Sequence, residues 1–494
     1  MLAADFSPPF LRMLGSRAWT GLGITEGQWS IFMALRGLFF IVFILSAGVF
    51  GDLYGRRRVL LLTLAAYVFC VPILLFNPPL SSAFIITYTM WTIFGMIIRT
   101  LCITFIVLRY EGRQRIYALV IYSVLAGLAF FLSPLVASTL KQSVAFNAVF
   151  IAPVLLAITG FLLVKRTIPD SRVSDDFQHQ DAIALVVLTF GVCLVIFAVL
   201  LSEAVGWTNP MVLVGLGVGL AMSLVMSWLS GKPLPGNWSF NLRYGRRLGM
   251  AIFAGVTLNL SLFAITVQVF NFMNRVQNIS AIRSGIALAP VLVGAFICVQ
   301  FARQTSGWRL ADAIAAGLVV MGIPALILSF LTPDISYWVL LICLLLLGFG
   351  FILGNSPRLL LLSSSVPRSL AATVQSIGCA TAHLGSALAY SFMITLLEGF
   401  GMRAYVQTLE SFGLSDLQIS IRLTTLARAS EEISIVALTE EKTQLLKMVD
   451  YWIVQAYITG LSRALLVLSL VCMFSAAIIY VGLHNEKKAS EIEF

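Results

Sequence analysis

The chain has 494 residues, of which 59% are hydrophobic and only 11% are charged, whereas an ordinary soluble domain carries about 25% charged residues. So few charges exclude a water-soluble globular protein of this length, because its surface would remain largely apolar; lipid as the surrounding medium removes that constraint. The net charge of +10 does not indicate nucleic-acid binding, since the Lys and Arg residues lie between apolar runs and fit membrane topology and lipid headgroup contacts.

Long apolar segments recur along the whole chain, and each is near the roughly 20 residues that a membrane-spanning helix needs. Helices are expected for such segments, because each must satisfy its backbone hydrogen bonds internally. We identify about 13 full candidates, with approximate limits 30–51, 58–77, 82–108, 116–139, 145–164, 182–202, 210–229, 247–270, 284–302, 311–331, 335–354, 370–396 and 457–483.

Basic residues are concentrated in alternate connections between these segments. Clusters at 56–58, 109–115 and 165–172 follow the first, third and fifth segments, whereas the connections between them hold at most one basic residue. The alternation weakens at Arg275 and Arg283 and then resumes. The positive-inside rule therefore places the Arg-rich connections and the C-terminus in the cytoplasm, as in a multi-pass protein of a plasma membrane, which we take to be a bacterial inner membrane.

This topology leaves the N-terminus with one helix too few. If the cluster at 56–58 is cytoplasmic, the residues before the segment 30–51 lie outside the cell. Residues 1–10, MLAADFSPPF, look like the second half of a preceding helix. We therefore expect a first helix that is truncated in this sequence.

Cysteine and histidine residues are too scattered to suggest a metal site. The seven cysteines lie singly in apolar runs, and the three histidines are far apart in sequence, so neither a disulfide framework nor a zinc site is expected. No Walker loop, GxSxG elbow or HExxH motif is found. We expect no cofactor, no metal, no catalytic residue and no self-powered ATPase.

The connection after the first full segment reads GVFGDLYGRRRVL and carries the spacing G-x-x-x-D-x-x-G-R-R, formed by Gly48, Asp52, Gly55, Arg56 and Arg57. Gly55 permits a tight reversal between two helices, and Asp52 is suited to capping the next helix or pairing with an arginine across the helix-bundle interface. This motif resembles the signature loop of the major facilitator superfamily. The resemblance implies a loop that latches the two halves of the protein in an outward-facing state.

The resemblance extends over most of the chain and is similar to the fourteen-span drug–proton antiporter branch of that superfamily. It implies an all-α polytopic protein with two six-helix pseudo-symmetric bundles around a central cavity. The first bundle would occupy 1–166 with a partial first helix, two extra helices would occupy 182–229, and the second bundle 247–483. In place of the Gly-Pro motif that the branch carries in helix five, this chain has Ser133-Pro134, which still favours a kink.

One connection, 398–456, is much longer than the others and falls on the external side. Its mixture of apolar and polar residues is typical of amphipathic helices that lie on the membrane surface or cap the protein. A structural lid and a role in substrate gating are both open interpretations.

Four ionisable residues lie within predicted spans, where a charge is costly and marks a functional candidate. They are Asp5, Arg36, Arg99 and His383. Arg36 and Arg99 also fit snorkelling to the headgroups, and His383 fits a hydrogen-bonded packing role. A buried Asp5 paired with Arg36 or Arg99 would couple transport to protonation, because protonating the acid would break the pair.

The leading functional hypothesis is a secondary active transporter that exports amphipathic or hydrophobic small molecules in exchange for protons. Its partners would be that substrate, protons and membrane lipids; a further export-complex partner is left open. An importer or uniporter of a specific metabolite on the same fold is the alternative, because fold does not fix function. A polytopic membrane enzyme is a third class, but no acidic pair converges with a histidine in the sequence.

Overall fold

The structure is a computed structural model, and it is all-helical throughout the residues that it describes. Those residues, to which every structural statement below refers, are 40, 42–76, 82–110, 114–115, 117–125, 127–128, 150–169, 191, 194–195, 197–199, 201–202, 206, 208–229, 245–305, 308–365, 370–411 and 440–483.

Eight helices in the described residues are long and apolar enough to cross a membrane. This confirms the predicted all-α polytopic class. The eight spans are Arg56–Phe76, Ile86–Arg109, Arg246–Arg275, Arg283–Phe301, Leu310–Leu328, Tyr337–Ser364, Ala371–Ala404 and Val454–Gly482.

The helices before residue 170 form an N-terminal group with its own core. Tyr67 and Trp91 are fully buried there, with ring centroids 4.7 Å apart, and Trp91 meets the edge of Phe150 at 5.3 Å. These aromatic rings therefore stabilise the helix group and do not line a substrate path. The helices of this group are α1 (Val42–Tyr54), α2 (Arg56–Phe76), α3 (Ser82–Arg109), α4 (117–125) and α5 (Ile151–Thr167).

A pair of helical segments follows in the chain. Residues 191–202, helical where described, pack against α6 (Pro210–Leu229). Gly219 lets the two backbones approach closely, because a Cβ there would lie 2.7 Å from the Gly191 carbonyl oxygen.

The remaining helices form a C-terminal group with the largest core of buried apolar side chains in the described residues. Close packing depends on glycine here: a Cβ on Gly317 would lie 2.7 Å from the Gly350 carbonyl oxygen. The helices are α7 (Gly245–Arg275), α8 (Ala281–Ala287), α9 (Pro290–Thr305), α10 (Leu310–Leu328), α11 (Tyr337–Ser364), α12 (Ala371–Ser411) and α13 (Glu440–Gly482).

The last two helices are much longer than the predicted spans. At 41 and 43 residues and 1.5 Å per residue, each is about 60 Å long, roughly twice the hydrocarbon thickness of a bilayer. The helical structure continues through 398–411 and begins again at 440, so the predicted connection 398–456 is a helical extension at both ends. The difference arises because apolar runs mark only the embedded part of a helix. Residues 412–439 lie outside the described residues.

We expect Gly348→Ala to destabilise the protein, because the added methyl group would collide with the carbonyl oxygen of Val291 on α9. Overpacking of this kind lowers the free energy of unfolding by about 1–3 kcal/mol. Thermal unfolding in detergent micelles measures the effect.

The matched control is Gly217→Ala on α6, where no atom lies within 4 Å of the added methyl group. This variant should unfold at the wild-type temperature or slightly above it, since alanine favours helix more than glycine does. Equal unfolding temperatures for the two variants would contradict the packing described for α9 and α11.

Candidate functional site

The predicted latch loop lies at the junction of α1 and α2. Gly55 stands between the two helices with φ of 100°, a backbone conformation that glycine adopts without steric penalty. This single residue reverses the chain, so that Asp52 in the last turn of α1 lies next to Arg56 in the first turn of α2.

Asp52 links the N-terminal group to the C-terminal group. Its carboxylate is 0% exposed, pairs with Arg56 (Nη2–Oδ1 2.7 Å, Nε–Oδ1 2.8 Å) and accepts three hydrogen bonds from the start of α12. The Ala372 and Thr373 amides donate to it at 3.2 and 2.8 Å, and the Thr373 hydroxyl at 2.8 Å. A carboxylate from one helix group thus caps a helix of the other group, where the helix dipole favours negative charge.

Small residues allow the two groups to meet closely around this carboxylate. A Cβ on Gly48 would lie 2.7 Å from Ser376 Cβ and 2.8 Å from the Ala372 carbonyl oxygen. Cys379 of the C-terminal group, 6% exposed, is buried among the apolar side chains of the N-terminal group. Closely packed side chains therefore surround the Asp52 carboxylate.

The two motif arginines have different partners. Arg56 belongs to the latch, whereas Arg57 donates through Nη2 to the Lys165 carbonyl oxygen at 2.8 Å. Lys165 is in the last turn of α5, so Arg57 satisfies a helix C-terminus within the N-terminal group. Only Arg56 contributes to the contact between the groups.

His383 lies farther along α12 and also contacts the N-terminal group. Its Nε2 is 3.0 Å from Met96 Sδ, and its ring stacks on Phe40 with centroids 6.0 Å apart and planes at 9°. The predicted packing role is thus present, at the interface of the groups. A titratable ring placed there is also positioned to respond to movement between them.

Arg99 faces the same interface from α3, and its Nε donates to the Tyr122 hydroxyl at 3.2 Å. A second arginine, Arg358 of α11, is 2% exposed. The predicted span 335–354 leaves Arg358 in the connection that follows it, whereas the structure places it inside α11, which continues to Ser364. The apolar run Leu359–Leu362 in the sequence indicates that the helix continues beyond the polar residues 355–358.

Four of the predicted site residues lie outside the described residues: Asp5, Arg36, Ser133 and Pro134. The structure therefore brings together Asp52, Arg56 and α12 at the latch loop, and Arg99 and His383 deeper in the interface. The described residues hold no group of three His, Cys, Asp or Glu side chains placed to bind a metal ion.

Comparisons with known proteins agree with the family that the loop motif indicated. The sequence model of the Major Facilitator Superfamily matches residues 12–180. The human organic anion transporter MFSD10 (TETRAN) is similar in structure, with 16% identity, a TM-score of 0.55, and 91% of this chain and 83% of that chain covered. The POT family transporter PepTSo has 14% identity, a TM-score of 0.56, and 97% and 96% of the two chains covered. The family match supports the superfamily, and the structural likenesses show its fold.

We expect Asp52→Asn to destabilise the protein, because it leaves the buried Arg56 guanidinium without its counter-ion. Breaking one side of a buried pair typically lowers the free energy of unfolding by roughly 3–5 kcal/mol. Thermal unfolding of the purified chain in micelles is the measurement.

Asp334→Asn, at an exposed position between α10 and α11, is the control and should change stability by no more than about 0.5 kcal/mol. If the two asparagine variants unfold at the same temperature, Asp52 does not hold the groups together.

Proposed function

We propose that this chain is a secondary transporter of the major facilitator superfamily that works by alternating access. The observation that carries the proposal is the Asp52 carboxylate, which joins the two helix groups at the Arg-rich end. A contact of this kind suits a transporter, because it can break and re-form without unfolding either group. The family match over 12–180 and the transporter-like fold support it.

The latch gives the protein two alternatives at this end. While Asp52 caps α12, the Arg-rich end is sealed and any substrate path opens toward the other side. When the groups separate, Asp52 keeps Arg56, four residues along the same chain, but gives up the three donors of α12. Interfaces of this type are bistable, so one polar contact sets the balance between the two states.

At the finer level we propose proton-coupled export of amphipathic or hydrophobic small molecules, by a fourteen-span member of the superfamily in a bacterial inner membrane. The paired helices at 191–202 and α6 fit the two extra spans of that branch. His383 lies between the groups and is the first candidate for the proton, and Asp5 is the second. Two six-helix bundles related by pseudo-symmetry form the framework in this proposal.

Import or uniport of a specific metabolite is the second candidate, and the buried arginines at the interface favour it, because fixed charges select a defined substrate. Flux in sealed vesicles of known orientation separates the two. Export predicts accumulation of substrate in inverted vesicles when the interior is acidified, whereas a uniporter only equilibrates it.

Alternating access predicts that Cys379 reacts with a membrane-permeant maleimide only when the latch opens, because the latched state buries the thiol between the groups. In a chain that keeps only this cysteine, Asp52→Asn should speed labelling about tenfold or more, since loss of about 1.4 kcal/mol from the closed state is tenfold in population.

A chain that keeps only Cys298 is the matched control. That thiol is equally buried, at 3% exposed, but it lies inside the C-terminal core, so Asp52→Asn should not change its rate. Equal acceleration of both thiols would indicate general loosening of the fold and would reject the latch as a gate.

Proton coupling predicts that Asp5→Asn abolishes pH-driven export by the folded protein, while exchange of substrate at equal pH continues. His383→Asn should shift the pH dependence of export if the imidazole takes part in the relay. If both variants export in response to a pH gradient as the wild type does, proton coupling through these residues is rejected and the uniporter hypothesis stands.

A further inference from the structure

Arg358 is a buried charge without an acidic partner. It lies on α11 at 2% exposed, and its one hydrogen bond is a long contact from Nη1 to the Thr381 hydroxyl, at 3.4 Å. The Nε atom has no hydrogen-bond partner in the described part of the chain. A guanidinium carries five donors, so most of its hydrogen-bonding capacity is unused.

The surroundings of Arg358 are built for a polar ligand. Gln375, 0% exposed, has no hydrogen-bond partner for either Nε2 or Oε1 within the described residues. Gly255 makes room for the guanidinium, because a Cβ there would collide with Arg358 Nη1. Gly378 lies beside both polar side chains, since a Cβ there would lie 3.9 Å from Arg358 Nη2 and 3.9 Å from Gln375 Oε1. Unsatisfied buried polar atoms of this number at one place need an explanation.

A second arginine lies on the N-terminal side of the same interface. Arg99 is one turn beyond Met96 on α3, and Met96 contacts His383 of α12, so the nearby side chain of α3 adds positive charge and no counter-ion for Arg358. The sequence offers no carboxylate nearby on the helices concerned, since 53–110, 245–311 and 335–397 contain neither Asp nor Glu.

A buried arginine and an unpaired amide, neither with an acidic partner in the described residues, are explained if the missing partner is an anion. We propose that Arg358, Gln375 and Thr381 bind the anionic group of the transported molecule: a carboxylate, sulfonate or phosphate. Planar guanidinium groups suit these oxyanions, because they donate two parallel hydrogen bonds to them. The inference rests on the proposed transporter function and names the class of its substrate.

A small cavity lies farther along α12, with a volume of about 10 Å³, which is room for about one water molecule. Ser386 and Met393 line that cavity together with Phe263 and Gln268 of α7. Ser386 and Met393 lie 11 and 18 residues after Gln375, a spacing that places all three on one face of the helix. The cavity begins about 8 Å beyond Thr381 at 1.5 Å per residue.

The test is thermal unfolding of the full chain in neutral detergent micelles with three probes that share one apolar skeleton: 4-phenylbutyrate, 4-phenylbutanamide and 4-phenylbutylamine. Only the carboxylate should raise the unfolding temperature. Arg358→Gln should weaken binding of 4-phenylbutyrate about 30-fold or more, as expected for loss of a buried charge-assisted hydrogen bond, and Arg358→Lys should retain part of it.

The ligand-free Arg358→Gln protein should unfold at the wild-type temperature or above it, because removing an uncompensated buried charge relieves its desolvation. A purely structural arginine would give the opposite result. The control is Arg403→Gln, at an exposed position on the same helix, which should bind 4-phenylbutyrate as the wild type does.

The proposal is overturned if the amide stabilises the protein as much as the carboxylate does, or if Arg358→Gln binds 4-phenylbutyrate as the wild type does. It is also overturned if phosphatidylglycerol displaces 4-phenylbutyrate and the displacement depends on Arg358, because the site would then bind a lipid headgroup. Flux of the same probes into proteoliposomes separates this proposal from the transporter proposal. Binding of 4-phenylbutyrate without flux would reject transport and leave the anion site standing. Flux of the amide without binding of the anion would reject the anion site and leave transport standing.

Discussion

The Asp52 carboxylate, buried between two groups of helices, is the interaction on which the account depends. An isolated carboxylate is very costly to place in an environment of low dielectric constant, and it is retained there because Arg56 and the first turn of α12 supply its partners. Some of those donors are available only when the groups are together. The same carboxylate therefore stabilises the closed end and makes its closure reversible.

Helix α12 connects the features of the interface. From its first turn inward it presents Thr373 to the latch, Cys379 to the N-terminal core, and His383 to Met96 and Phe40, while Gln375 and Thr381 face Arg358. A rigid helix transmits small displacements along its length. Occupation of the Arg358 site and rupture of the Asp52 contact are thus two events on one element, which is what coupling between substrate and gate requires.

Hydropathy and motif spacing predicted the helical class, the approximate position of most spans and the turn at Gly55. They also predicted an arginine partner for Asp52 across the interface, whereas the partner is Arg56 of the same helix group. The partner of Asp52 in α12 was not predictable, because a contact across about 320 residues of sequence leaves no local pattern. Arg358 was assigned to a connection because Asn355, Ser356 and Pro357 break the apolar run before it, although a helix in a buried bundle tolerates them. The extensions of α12 and α13 were not predicted, because hydropathy indicates which residues are embedded in lipid and does not indicate where a helix ends.

Hydrogen–deuterium exchange at the start of α12 tests the central claim most directly. The amides of Ala372 and Thr373 are in the first turn of the helix, where no intrahelical acceptor exists, so protection from exchange there can come only from Asp52 and the packing around it. The account predicts slow exchange for the segment in the wild type and fast exchange in the Asp52→Asn variant, with the rest of α12 unchanged. Fast exchange at these amides in the wild type would contradict it.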